Sequence, residues 1–408
     1  MEGMRFRRDE NILKHSGKRK TVCSYLKTAD KEKEKTMENK KILVLGTGNA
    51  QKDIITEAKN KGFYVYGCSY RSGDSAEKLL DEFAEINITD VPAVKQYVEA
   101  NGIDYVYSVG SDIAMPTAAK VSEELSLPLL VSSQTAKVCN EKAELRKALG
   151  TDFEWNIPFQ FLTDADEEIN LEYPFMLKPV DSQGQRGVFR IDSHEEFVNK
   201  FPISMSHSRT KGVIIEKFID GDEVSVNTFS RNGELLFYLL SDRIVWDQFP
   251  GGIIKKHLIP SKYENSKTAQ DVHKLVEDTL QKLGITEGPA YFQIKIDQDG
   301  KPYLIEVTPR LDGCHMWRLI NKYCGVNLLE ATLDLLTGKS DLMLNPVFPD
   351  DKAVSLEFMC QAPGSSVVRA DHDTEGADYI DWYYKDGDSV RKMNGYMEKC
   401  GYQIRETD

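Results

Sequence analysis

The stretch Tyr291 to Arg310, YFQIKIDQDGKPYLIEVTPR, restricts this chain more than any other. Two apolar alternations flank an Asp-Gly pair, and Asp-Gly is a strong signal for a two-residue type I′ hairpin turn because both positions tolerate positive φ. With Asp299 and Gly300 as the turn, Gln298 faces Lys301 and Gln293 falls directly opposite Glu306. Directly opposed residues of an antiparallel pair share a face, with Cα atoms roughly 4.5–5.5 Å apart. Two side-chain oxygens at that spacing can grip one small cation. They can equally form a cross-strand hydrogen-bonded pair on a solvated sheet. The expected core face holds Phe292, Ile294, Ile305 and Val307, while Thr308 continues the polar face and Pro309 ends the ladder just before Arg310.

With 408 residues, 40% of them hydrophobic, the chain is long enough for two or three domains. No apolar run reaches the length of a membrane span. A net charge of −13 argues against general nucleic-acid binding, which needs a basic surface. The seven cysteines, at 23, 68, 139, 314, 324, 360 and 400, form an odd set without CxxC spacing. Neither a disulfide framework nor a zinc site is indicated, and a reducing cytoplasm fits. Residues 1–38 are rich in charge and poor in apolar periodicity, so they are expected to be a flexible tail.

From Lys41 the pattern alternates. Strands are expected at KILVLG, YVYGC, EINI and YVYSV, with helices through Ala58, from Ala76 to Phe83, from Val91 to Ala100 and from Ile113 to Leu125. Such alternation implies a parallel sheet covered by helices. Its first turn, Gly46-Thr47-Gly48-Asn49-Ala50-Gln51, lacks the third glycine of a dinucleotide fingerprint and reads as a tight strand-to-helix turn. Ser111 and Asp112 stand at a strand's carboxyl end, where such sheets place ligands, although Asp112 also suits a helix N-cap.

Further along, helix Glu141–Leu149 carries Lys142 and Arg146 on one face. The run YPFMLKPVDSQGQRGVFRI places Lys178 at a strand end ahead of a glycine-containing hairpin tip, the reverse of a Walker loop. VIIEKFIDGDEVSVNTF reads as a second hairpin, turning at Asp220-Gly221-Asp222 between Glu216 and Glu223. Either carboxylate could accept from ribose hydroxyls or an adenine amino group. In VWDQFPGGIIKKHLIPS, Lys255, Lys256 and His257 follow a Gly251-Gly252 hinge, which suits a segment closing over anions or a solvated loop. After helices at 315–323 and 327–337, the strand-like VSLEFM, YIDWYY and GYQIRE suggest a small β-rich unit packed on the body.

The order of these features resembles the ATP-grasp superfamily: Lys142 in NEKAELR, Lys178 with SQGQRG, EKFIDGDE, the basic segment ending HLIP, then Gln293 with EVTPR. The resemblance implies an α/β architecture. An N-terminal parallel α/β domain (39–138) would precede two α+β subdomains (139–223, the lid, and 224–342, metal and catalysis) and a C-terminal β-rich module (343–408). It further implies that Lys142 and Lys178 contact phosphates, that Ser182, Gln183, Gly184 and Gly187 belong to the lid loop, and that Glu216, Lys217, Phe218 and Ile219 form the adenine edge. Glu223 would hold ribose. Gln293, Glu306 and Thr308 would hold Mg2+, while Arg310, Lys178 and Lys255 or Lys256 would meet the transferred phosphoryl group. The family usually has a carboxylate at the position of Gln293 and an asparagine at that of Thr308; a glutamine at the former resembles the carbamoyl-phosphate synthetase branch. A single formal carboxylate suggests that magnesium arrives with ATP.

The expected chemistry is attack of a carboxylate on the γ-phosphate of ATP, giving an acyl phosphate and ADP, followed by capture by an amine. Phosphorylation of bicarbonate or carbamate and a non-catalytic ATP sensor are the alternatives. Expected partners are small-molecule acids and amines, with no nucleic acid or membrane, and a homodimer is compatible.

Overall fold

The computed structural model describes residues 40–181, 186–249, 252–392 and 396–407. The expectations for the tail, for Ser182, Gln183 and Gly184, and for Gly251 fall outside these residues. Three sheets organise the rest.

The first sheet is parallel, in the order β3-β2-β1-β4, from β1 (Lys41–Leu45), β2 (Tyr64–Ser69), β3 (Glu82–Glu85) and β4 (Tyr105–Tyr107). Helices α1 (Lys52–Asn60), α2 (Val91–Asn101) and α3 (Met115–Leu125) cover it. Asp90 caps α2 by accepting from the Ala93 N–H, and Gly102 ends it in the left-handed conformation that glycine adopts without strain. Two expectations fail here. Ala76–Phe83 is no helix but a single 3-10 turn, Glu77–Leu79, running into β3, and the third strand is EFAE rather than EINI. Asp81 explains the shift: its carboxylate accepts from the Val65 N–H and pairs with Lys59, pulling the chain into sheet register early. The Gly46 turn is closed by Gln51, whose side chain accepts from the Gly48 N–H and donates to the Val109 carbonyl. This is the tight strand-to-helix turn read from the sequence.

Two short helices, α4 (Ser133–Asn140) and α5 (Lys142–Leu149), lead to a four-stranded antiparallel sheet of order β5-β8-β6-β7. Its strands are β5 (Phe159–Leu162), β6 (Phe175–Pro179), β7 (Phe189–Ile191) and β8 (Val213–Lys217), with α6 (His194–Ser206) packed on it through Phe197 and Phe201. The expected hairpin at Asp220-Gly221-Asp222 does not form. Strand β8 stays in this sheet, while β9 (Gly221–Arg231) begins the third. The crossing depends on Gly221, where an added Cβ would lie 1.9 Å from the Ile296 carbonyl oxygen.

The third sheet has eight strands in the order β13-β12-β9-β10-β11-β14-β16-β15. Besides β9 it contains β10 (Glu234–Val245), β11 (Ile254–Ile259), β12 (Gly288–Asp297), β13 (Pro302–Thr308), β14 (Ala353–Gln361), β15 (Tyr379–Trp382) and β16 (Glu398–Thr407). The C-terminal strands therefore do not merely pack on the body: β14 hydrogen-bonds to β11 and extends the same sheet. Helix α7 (Lys267–Leu283) is capped by Ser266 and buries Val272, Leu275, Val276, Thr279, Leu280 and Leu283 along one stripe. That stripe covers the face carrying Val224, Val226, Phe292 and Ile294. On the opposite face, α8 (Met316–Cys324) and α9 (Leu328–Leu336) pack over Leu239, Ile259, Leu356 and Tyr402. They leave the β12–β9 end of that face to the second sheet.

Candidate active site

Gln293 stands opposite Glu306 in the hairpin, as the alternation required, but by a different route. The turn is one residue longer than expected: Gly300, at φ +84, donates to the Asp297 carbonyl, and the Asp297 N–H donates to Lys301. This shifts the register, so Ile294 faces Leu304 and Lys295 faces Tyr303. A bulge at Ile305 then restores it. Leu304, fully buried, takes the core position expected for Ile305. Ile305 turns instead to the opposite face.

That face lines a cavity of about 150 Å3 between the second and third sheets. Met176 and Lys178 of β6 form one wall, with Lys217, Phe218 and Ile219 along the edge and Glu223, Gln293 and Ile305 as the floor. Lys178 from one sheet and Gln293 from the other thus share a cleft. Phe218 is held under the Arg190 guanidinium, 4.4 Å from its ring centroid. Gly187 has φ +71, and a Cβ there would press on His207 and Pro179.

Glu216 lines the same cavity, next to Lys217, Phe218 and Ile219. Its side chain is 2% exposed and both oxygens are taken: Lys178 Nζ donates to Oε2 at 2.5 Å and Arg146 Nε to Oε1 at 2.7 Å. Burial alone would raise its pKa, but the two cations hold it at about 2. Glu216 therefore holds Lys178 in place. Arg146 also donates to Asn156 Oδ1 at 3.2 Å and to the carbonyl of the bulged Ile305 at 3.0 Å, so one guanidinium joins α5 to both sheets. From the sequence, Arg146 is assigned only to the helix face that it shares with Lys142. Its position beside Leu145 and Leu149, at the edge of the apolar stripe, was the available signal.

Glu223 lies on the cleft floor. Its Oε2 accepts from Gln293 Nε2 at 2.9 Å and from the Arg243 guanidinium, and Lys295 lies 3.6 Å from Oε1. Glu306 titrates above the ordinary range because it is buried and faces the negative charge of Asp112, with Lys142, Arg310 and Arg243 only partly compensating. Thr308 Oγ1 is buried without a hydrogen-bond partner among the described residues. A carboxylate short of positive charge, an amide oxygen and an orphaned hydroxyl on one face suit a hard cation. Among the described residues no group of three or more His, Cys, Asp or Glu could hold a metal, so such a cation would depend on further oxygens from its ligand.

Arg310 is buried and pairs with Asp112 of the first sheet, while Nη1 donates to the Leu311 carbonyl at 2.8 Å. Asp112 is thus neither the N-cap of α3, which begins after Ala114, nor unpaired. The Lys255 ammonium lies 4.8 Å from the Trp246 ring centroid. Lys256 lies in register opposite Glu357.

Residues 171–317 match the family described as ATP-grasp domain. The formate-dependent phosphoribosylglycinamide formyltransferase of Prochlorococcus marinus (strain MIT 9301) is 26% identical over 218 residues, 51% of this chain and 55% of that protein. The chain spans about half the length of the curated relatives of this kind that head the comparison. In fold it is similar to the L-amino acid ligase from Bacillus licheniformis, with a TM-score of 0.75 at 20% identity over 90% of this chain and 93% of the other. The N5-carboxyaminoimidazole synthetase from Staphylococcus aureus complexed with ADP gives 0.72 at 17% identity, over 90% and 93%.

Proposed function

From a chain whose residues 171–317 are an ATP-grasp domain and whose fold is that of ATP-grasp ligases, we propose an ATP-dependent, ADP-forming ligase. It activates a small carboxylic acid as an acyl phosphate and joins it to an amine. The observation that carries this reading is the shared cleft: Lys178, fixed by Glu216, faces across a cavity to Gln293 and its partner Glu306. One fold relative is an L-amino acid ligase and another is a synthetase complexed with ADP, which supports the same assignment.

In this reading adenine lies against Phe218, Ile219, Met176 and Ile305, and ribose meets Glu223. Lys178 and Lys142 bind phosphate oxygens. Gln293 Oε1, Glu306 and Thr308 Oγ1 would hold magnesium, which when bound screens the phosphates. Arg310, held by Asp112, stabilises charge building on the transferred phosphoryl group. Phosphoryl transfer of this kind asks for positioned charge rather than an acid or base.

The test is ADP release from the purified chain with ATP, Mg2+ and a panel of acids, using hydroxylamine as a general acceptor. Acid-dependent ADP release with a hydroxamate product is expected. ATP binding without ADP release under every acid, and under bicarbonate, would instead identify a nucleotide sensor.

A further inference from the structure

Away from that cleft, the same face of the eight-stranded sheet carries a second cluster of polar side chains. His257 of β11 is fully buried, lies in register opposite Arg243, and has its Nδ1 3.3 Å from the Ser225 hydroxyl. Its Nε2 has no partner among the described residues. Burial, with the charges of Arg243 and Lys399 added, keeps the ring neutral. Lys399 of β16 turns inward over the Phe358 ring, 3.7 Å from its centroid, and its ammonium lies 3.6 Å from Cys314 Sγ. Among the described residues neither Lys399 nor Lys255 has a carboxylate partner; each rests on an aromatic ring.

An ammonium directed inward with only a thiol and a π-face for company is undersatisfied, as is a buried imidazole nitrogen with no partner. Both deficits are met by an anion. Cys314 follows Arg310 by four residues, so the two lie at most roughly 14 Å apart along the chain.

We infer that the cluster of Lys399, His257 and Cys314 receives a second anionic group, a carboxylate or a phosphate monoester, at the far end of the acid whose carboxylate is activated near Arg310. This rests on the ligase reading above and narrows its substrate class to small acids carrying two anionic groups. Lys399 then sets specificity, and takes no part in the phosphoryl transfer.

The experiment compares the full-length wild type with Lys399→Met and Lys399→Arg in the ADP-release assay with hydroxylamine. Succinate and glutarate test a carboxylate tail, 3-phosphoglycerate tests a phosphate tail, and butyrate and valerate are the neutral-tailed controls. An anionic tail should lower KM at least about 10-fold relative to the neutral acid of the same length. Lys399→Met should raise the KM of the anion-tailed acid about 10- to 100-fold, with a much smaller change for the neutral one and little change in kcat, and Lys399→Arg should recover most of the loss. Equal KM values for the two kinds of acid in the wild type overturn the inference and leave the ligase reading intact. If no acid releases ADP, that reading fails by itself, and the anion site is judged by alkylation of Cys314 with iodoacetamide, followed by mass spectrometry. Succinate or inorganic phosphate should slow it several-fold against chloride in the wild type and not in Lys399→Met. Equal rates in all conditions overturn the anion site directly.

Discussion

Each oxygen of the Glu216 carboxylate is held by a different cation, and one of those cations also touches the other sheet. Glu216→Gln leaves the buried Arg146 without its counter-charge, and breaking a buried pair this way costs about 3–5 kcal/mol, measurable by denaturant unfolding. The folded pKa of about 2 lies below the ordinary 4.5, so the stability this group contributes is complete above pH 4.5 and is lost as pH falls toward about 2. The variant should show a flatter stability profile across that window than the wild type. Lys178→Ala keeps the Glu216–Arg146 pair and should stay folded while ATP turnover falls about 100-fold or more, the scale of removing one positioned charge. Glu306→Gln should behave oppositely to Glu216→Gln. Its charged form is disfavoured in the fold, so stability is unchanged or raised while magnesium-dependent turnover disappears. Wild-type turnover in this variant would refute the metal assignment. The Gln293–Glu306 pairing was legible because alternation sufficed to find it. The grip on Glu216 was not, since Arg146 reaches it from a helix 70 residues earlier.

At the scale of the element, the hairpin shows how a correct pairing can come from an incorrect turn. A three-residue loop displaces the register by one and the bulge at Ile305 displaces it back, so Gln293 and Glu306 meet while the residues between them do not pair as expected. Alternation fixes which residues share a face once the register is known, yet an extra residue leaves no mark on composition. The bulge has a use: it delivers the Ile305 side chain to the cleft and its carbonyl to Arg146. Leu304→Ala should therefore cost about 2–5 kcal/mol of stability as a core truncation. Ile305→Ala should cost under about 1 kcal/mol but weaken ATP binding several-fold, because it removes area facing ligand rather than core. Calorimetric titration with ATP alongside thermal unfolding separates the two, and the reverse pattern would restore the regular two-residue turn.

Across the whole molecule, the first sheet is joined to the third at the place where the chemistry is proposed. Asp53 of α1 accepts from Trp317 and Arg318, faces His315 at 3.3 Å, and is held at about 2 against the cost of its burial by those partners. The Gly110 N–H donates to the Leu311 carbonyl, and two residues further Asp112 pairs with Arg310. None of this was readable from sequence, because the contacts join segments some 200 or more residues apart and follow from docking rather than from local pattern. The same holds for β14 adding to β11 across about 100 residues of chain. Gly110 is the narrowest point of the junction: at φ +64, an added Cβ would lie 2.6 Å from the Ala50 Cβ and 3.0 Å from the Gly313 Cα. Gly110→Ala must push the first sheet away from the loop that carries Arg310, at a cost of about 1–3 kcal/mol from overpacking and the left-handed backbone. Because Asp112 moves with the first sheet while Lys178, Glu223 and Gln293 stay on the other two, kcat should fall at least about 10-fold with ATP affinity within about 2-fold of wild type. Equal losses in both, measured by steady-state kinetics and ATP titration on the same preparation, would show that the first sheet supports the nucleotide cleft as a whole rather than the arginine alone.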